Sequence, residues 1–149
     1  MAQTTGGMSF KANKVETSVN GSAWTDISGF GNSIEIDGGK RETEDTHTFD
    51  GDTPILTAGK RGSLTVKVKI VYTEGASDPQ ETVRAAYEAA SPLYVRWSPK
   101  GGASTQFQYT TSAGIVTTEP YPGGESGSAE AVMTEFELAC ASVTKSVVA

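Results

Sequence analysis

The sequence predicts a mainly β protein, a β-sandwich or partial barrel with one flanking α-helix at about residues 79–90 and a long loop at about residues 37–62. Three observations carry that prediction. Apolar and polar residues alternate from Ser63 to Thr73, one proline-led helical pattern starts at Asp78, and Gly, Pro and Asn clusters separate several short β-prone runs. At 149 residues the chain can bury one core and is too short for two ordinary domains. It is read as an N-terminal arm over residues 1–13, small, polar and expected to be flexible, and a single β-sandwich domain over residues 14–149.

The elements follow in order. Val15-Glu16-Thr17-Ser18-Val19 runs into Asn20-Gly21 and then Trp24-Thr25-Asp26-Ile27, and Asn-Gly between β-prone runs signals a hairpin because both residues tolerate positive φ. Ser33 to Ile36 alternates Ile34 and Ile36 with polar neighbours. From Asp37 to Arg61 the chain is polar and acidic, an excursion of a length that compact domains seldom carry without a purpose, with one strand placed at Thr46 to Phe49. In the strand that follows, Leu64, Val66, Val68, Ile70 and Tyr72 share one face and Thr65, Lys67, Lys69, Val71 and Thr73 the other. The helix has Asp78 to cap it, Pro79 at its first position, Glu81 to complete a capping box, and Val83, Ala86, Tyr87 and Ala90 on one stripe, before Ser91-Pro92 ends it. Leu93 to Trp97, Thr105 to Thr111, Ile115 to Glu119 and Ala131 to Ser142 complete the strands, with Pro120 to Ser128 a loop. Trp24 and Trp97 are assigned to the core because each sits in a strand-like run.

Charge narrows the function. The chain carries −6 with an isoelectric point near 4.8, and 7 of its 18 acidic residues fall between Glu35 and Asp52. Such a chain gains little from counterion release, which argues against tight nucleic-acid binding, yet an acidic wall can contain nucleic acid without holding it. One cysteine, Cys140 in an apolar run, excludes a disulfide framework within the chain. No stretch approaches a membrane span and Met1 to Gly7 lacks the marks of a signal peptide, so the chain is expected to be made in the cytosol.

Chemistry finds little purchase. His47 is the sole histidine and stands in the acidic excursion, a poor base for a triad and a poor zinc partner for a cysteine about 90 residues away. Asp45, Asp50 and Asp52 do not follow the spacing of a calcium loop, and Gly101-Gly102 and Gly123-Gly124 lack the strand-to-helix setting of a phosphate cradle. No catalytic residue, metal or cofactor is assigned, and the chain is read as no enzyme. The charged face carrying Lys67, Lys69, Glu135 and Glu137 has two readings: a solvated sheet face with opposite charges paired across strands, or the wall of a water-filled channel built by several subunits.

The order Trp24-Thr25-Asp26-Ile27-Ser28-Gly29, Gly51-Asp52-Thr53-Pro54, Gly59-Lys60-Arg61-Gly62, Val71-Tyr72-Thr73-Glu74, a helix, Leu93-Tyr94-Val95-Arg96-Trp97-Ser98-Pro99 and Phe107-Gln108-Tyr109-Thr110 resembles the major tail tube proteins of long-tailed, non-contractile (siphophage-type) bacteriophages, over roughly Lys14 to Thr144. That resemblance implies a fold related to the type VI secretion tube and a structural virion protein that self-assembles into stacked homohexameric rings, a conduit for DNA ejection into the host. It implies a place in the virion tail after assembly in the host cytoplasm, with tape measure, tail tip and terminator proteins as partners, DNA passing without specific binding, and no membrane partner. Glu42, Glu44, Asp45, His47, Phe49, Asp50, Asp52, Pro54, Ile55 and Leu56 become the inter-ring loop, and Lys67, Lys69, Glu135 and Glu137 candidates for the lumen face. The competing readings are the inner tube of a contractile tail and a monomeric adhesion or carbohydrate-binding sandwich with Trp24 or Trp97 exposed.

Overall fold

Two antiparallel sheets share one apolar core in the computed structural model, which describes residues 2–149. The five-stranded sheet runs in the order β11 (Val143–Val147), β8 (Phe107–Thr111), β7 (Tyr94–Ser98), β1 (Lys14–Ser18), β2 (Thr25–Asp26). The four-stranded sheet runs β3 (Gly31–Gly38), β6 (Leu64–Val71), β10 (Met133–Cys140), β9 (Ile115–Val116). A separate pair, β4 (Arg41–Thr46) and β5 (Ile55–Arg61), projects between β3 and β6, and one helix, α1 (Pro79–Ala89), joins β6 to β7.

The strand that alternates most cleanly in the sequence is central to its sheet. In β6, Val66, Val68 and Ile70 are fully buried, and β10 sets Phe136 opposite Val68 and Leu138 opposite Val66. Val15, Val95 and Trp97 close the core from the five-stranded sheet, with Trp97 stacked on Tyr109 at a centroid distance of 5.7 Å. Each large apolar side chain so buried contributes about 1.5–3 kcal/mol. Cys140 belongs to this core, and burial pushes its thiol pKa up, which keeps it an unreactive apolar filler.

Trp24 is not a core residue. It lies in the connection before the two-residue β2, half-buried on the outer face of the five-stranded sheet, with the Arg96 guanidinium 4.3 Å from its ring and Tyr94 edge-on at 6.5 Å. Arg96 in turn donates from both arms of its fork to Glu16, at 3.1 and 2.9 Å. The turn at Asn20-Gly21 exists but is wider than two residues: Ser18 Oγ accepts from Gly21 N–H, and Asn20 Oδ1 accepts from Ser22 and Ala23 N–H, so that Glu16 pairs with Asp26.

The helix begins where proline predicts, with Asp78 at the N-cap position, but the Asp78 side chain makes no capping hydrogen bond. Its carboxylate turns back to accept from Thr73 Oγ1 and, at 2.7 Å, from Gly75 N–H, tying the end of β6 to the helix start. The buried stripe is Pro79, Gln80, Val83 and Ala86, whereas Tyr87 and Ala90 are exposed, because Ala90 has already left the helix in a left-handed conformation at φ 50°.

The segment expected as a loop at 37–62 is mostly the β4–β5 hairpin, with Thr43 opposite Ala58, Asp45 opposite Leu56 and Thr46 opposite Ile55. The strand expected at Thr46 to Phe49 lies earlier, and residues 47–54 form the turn. Every residue from Lys40 to Ser63 is exposed, so neither strand has the apolar alternation that burial imposes. β11 was also absent from the sequence-based expectation, which ended its last strand at Ser142. Residues 2–9 are exposed and outside any element, followed by a 3-10 turn, Phe10–Ala12, whose start is held by Ser9 Oγ accepting from Lys11 N–H.

Candidate functional site

The hairpin is joined to the sandwich by a narrow glycine neck. Gly39 N–H donates to Ser63 O and Gly62 N–H donates to Lys40 O, both at 2.9 Å. At Gly38, with φ +88°, a Cβ would stand 2.5 Å from Ser63 O, so the chains cross too closely for any side chain there. Arg41 Nη1 donates to Gly59 O at 2.8 Å, and Lys40, Arg41, Lys60 and Arg61 make the neck basic.

Of the residues predicted for the inter-ring loop, Glu42, Glu44 and Asp45 lie on β4 and Ile55 and Leu56 on β5. His47, Phe49, Asp50, Asp52 and Pro54 belong to the turn, which Thr48 Oγ1 tightens by donating to Asp50 O at 2.7 Å. The structure therefore brings all ten together on one projection, and its apolar members are open to solvent: Phe49 is fully exposed, Leu56 66% and Ile55 55%. Charge along the projection is uneven, four cations at the neck and five carboxylates beyond it.

The predicted lumen residues also come together. On the outer face of the four-stranded sheet, Ser33, Lys69 and Glu135 form one cross-strand row, and Glu35, Lys67 and Glu137 the next. Lys67 Nζ lies 3.3 Å from Glu137 and 3.8 Å from Glu135. Its hydrogen bond to Glu137, with the neighbouring carboxylates, raises its pKa, so the ammonium stays charged throughout the physiological range. These exposed pairs are worth little stability and act chiefly to hold an orderly charged surface. Glu35 and Asp37 belong to the same face and were not assigned to it from sequence; the alternation around Ile34 and Ile36 had already placed Glu35 opposite the apolar side. With them the face holds four carboxylates and two ammonium groups. Glu35 and Asp37 thus separate from the hairpin's acids, although all seven are contiguous in sequence between Glu35 and Asp52.

No protein-family model matches the chain. No curated protein matches it either. Solved structures do. The chain superposes on one in the six-fold symmetrised baseplate of the anti-feeding prophage with a TM-score of 0.68 at 15% identity, over 98% of this chain and 99% of that one. The chain has a phage-tail-tube-like fold. A chain in the tail of an empty GTA particle, refined with C6 symmetry, gives a TM-score of 0.66 at 16% identity over 99% and 100% of the two chains. One in the sheath–tube complex of the PVC extracellular contractile injection system, in its extended state, gives 0.66 at 12% over 97% and 94%. Coverage this complete means that the tail-tube-like fold takes in the hairpin and the helix as well as the sandwich.

The remaining chemistry-bearing residues stay apart. His47 and Cys140 stand on the hairpin turn and in the core respectively. Among the described residues no group of three or more His, Cys, Asp or Glu is placed to hold a metal ion, and no helix is long and apolar enough to cross a membrane.

Proposed function

We propose that this chain is the structural subunit of a tail tube, in which six copies close into a ring and rings stack into a hollow conduit. The observation that carries this reading is the charged outer face of the four-stranded sheet, set within a chain whose whole length follows the tail-tube-like fold. A face with a largely apolar underside and a polar, mostly acidic surface suits a wall between protein and water. Six-fold rings are supported by the C6 and six-fold symmetry of two of the similar assemblies. At −6 per chain, a ring carries on the order of −36, which would keep passing DNA from adhering. The subunit works by shape and charge and has no reaction to catalyse; tape measure, tip and terminator proteins would bound the tube, in a virion tail assembled in host cytoplasm.

Of the two tail types, the inner tube of a contractile system is the nearer, supported by the likeness to the chain from the sheath–tube complex. The non-contractile tail, delivering DNA into a host, rests on the order of sequence motifs. Negative-stain electron microscopy of concentrated protein should show rings or tubes roughly 10 nm across. Persistent monomer, even with tip and tape measure proteins added, would reject the tube. Adding the sheath protein of the same system should yield decorated tubes for a contractile tail, and bare tubes for the other.

A further inference from the structure

We propose that the groove between the N-terminal segment and the start of β3 receives Phe49 of a second copy, so that copies engage head to tail; this rests on the tail-tube reading above. The groove encloses about 220 Å³. Its floor is apolar, formed by Val15, Ile34 and Val68, with Phe10 and Lys11 at the rim. No carboxylate lines it. In its wall Asn13 Oδ1 is buried and accepts no hydrogen bond, a defect that an N–H brought by an incoming peptide would repair.

The hairpin offers the complementary piece. Phe49 stands fully exposed at the turn, which also carries Asp50 and Asp52, and Glu44 and Asp45 precede the turn on β4. Lys11 is the one charged side chain in the groove's lining. An aromatic side chain carried beside carboxylates, facing an apolar slot with Lys11 on its rim and no carboxylate in its lining, has the features of a steered contact with one buried anchor.

The two features lie at opposite ends of one strand. β3 begins at the groove with Gly31 and ends at the hairpin neck with Gly38, eight residues that span roughly 25 Å. A contact between opposite ends of identical molecules is heterologous, so it does not close as a two-fold pair and can propagate from copy to copy, as stacking requires.

The test mixes two single variants that keep the Phe49 anchor, Asp50→Cys and Asn32→Cys, at assembling concentration under mild oxidation; Cys140 is buried and serves as the unreactive background. A disulfide-linked dimer in the mixture, and not in either variant alone, is the expected result. Wild-type stacks in the same buffer without a cross-link in the mixture would overturn this contact and leave the tube reading intact. Wild type that forms no stacks, with no cross-link, overturns both. As a second measurement, Lys11→Glu should raise the concentration needed for stacking roughly tenfold or more, and Asp50→Lys with Asp52→Lys on the partner should restore it. A loss that the exchange does not restore counts against the contact.

Discussion

Ala90 and Gly38 both hold left-handed backbone, at φ 50° and +88°, and exchange should move stability in opposite directions. Ala90 is exposed at the helix end, so Ala90→Gly relieves strain with nothing lost, a gain of about 0.5–1 kcal/mol. Gly38→Ala adds both strain and a collision with Ser63 O, at a cost of about 2 kcal/mol or more. Thermal denaturation should show a small rise in Tm for the first and a fall of roughly 4–8 °C for the second. Asp78 gives a pH signature. Hydrogen bonds from Thr73, Gly75 and Gln80 hold its carboxyl below the usual carboxylate range. A depressed folded value means that the contribution is present above the unfolded pKa and lost as pH falls through the folded one. Asp78→Asn should therefore melt lower than wild type at neutral pH, and the two melting curves should converge as the solution is acidified below the carboxylate range. A gap that persists unchanged in acid would show that the charge is not what ties β6 to α1.

The β4–β5 hairpin contributes no buried residue to the sandwich, so removing it should cost the domain little. Deleting Glu42 to Asp52 is expected to leave the far-ultraviolet spectrum of the β domain and a Tm within a few degrees of wild type, while stacking, followed by sedimentation, is abolished. Collapse of the fold in this deletion would make the hairpin part of the core structure. That same independence explains what could be read in advance. β6, β10 and α1 were legible because burial on one face writes a period into sequence, seen in Val66, Val68 and Ile70 or in Val83 and Ala86. β4 and β5 bury nothing, and Arg41-Glu42-Thr43-Glu44-Asp45-Thr46 reads as polar chain whether paired or not. β11 was missed for a different reason. The turn before it has neither Gly nor Pro, and is held from outside by Ser112 Oγ, which accepts from Ala141 and Ser142 N–H at 3.2 Å. Capping at Asp78 was misread because the carboxylate's better partners lie upstream, at Thr73 and Gly75. Strand alternation placed Lys67, Lys69, Glu135, Glu137 and Glu35 on polar sides, but that they share one face, with Asp37, follows only from the pairing of β6 with β10 and with β3, contacts remote in sequence.

Across the whole molecule, charge is sorted into an acidic sheet face, an acidic hairpin end and a basic hairpin neck, and only the first bears on transport through a tube. Glu135→Lys with Glu137→Lys turns that face from net −2 to net +2 and sets like charges against Lys67 and Lys69. If the face lines the lumen, DNA ejection from variant particles should slow, and the delay should fade near 1 M salt, where the screening length falls to about 3 Å. Ejection at the wild-type rate would move the lumen to another surface. The opposite sheet offers a different opportunity. Trp97 is sealed in the core, while Trp24 lies half-open on the outside beneath the Arg96 guanidinium. The molecule thus carries one silent and one responsive fluorophore: Trp97 supplies a constant blue emission, and any protein that settles over the outer sheet should shift and brighten Trp24 alone. Encasement of the tube could then be timed in solution with no label attached.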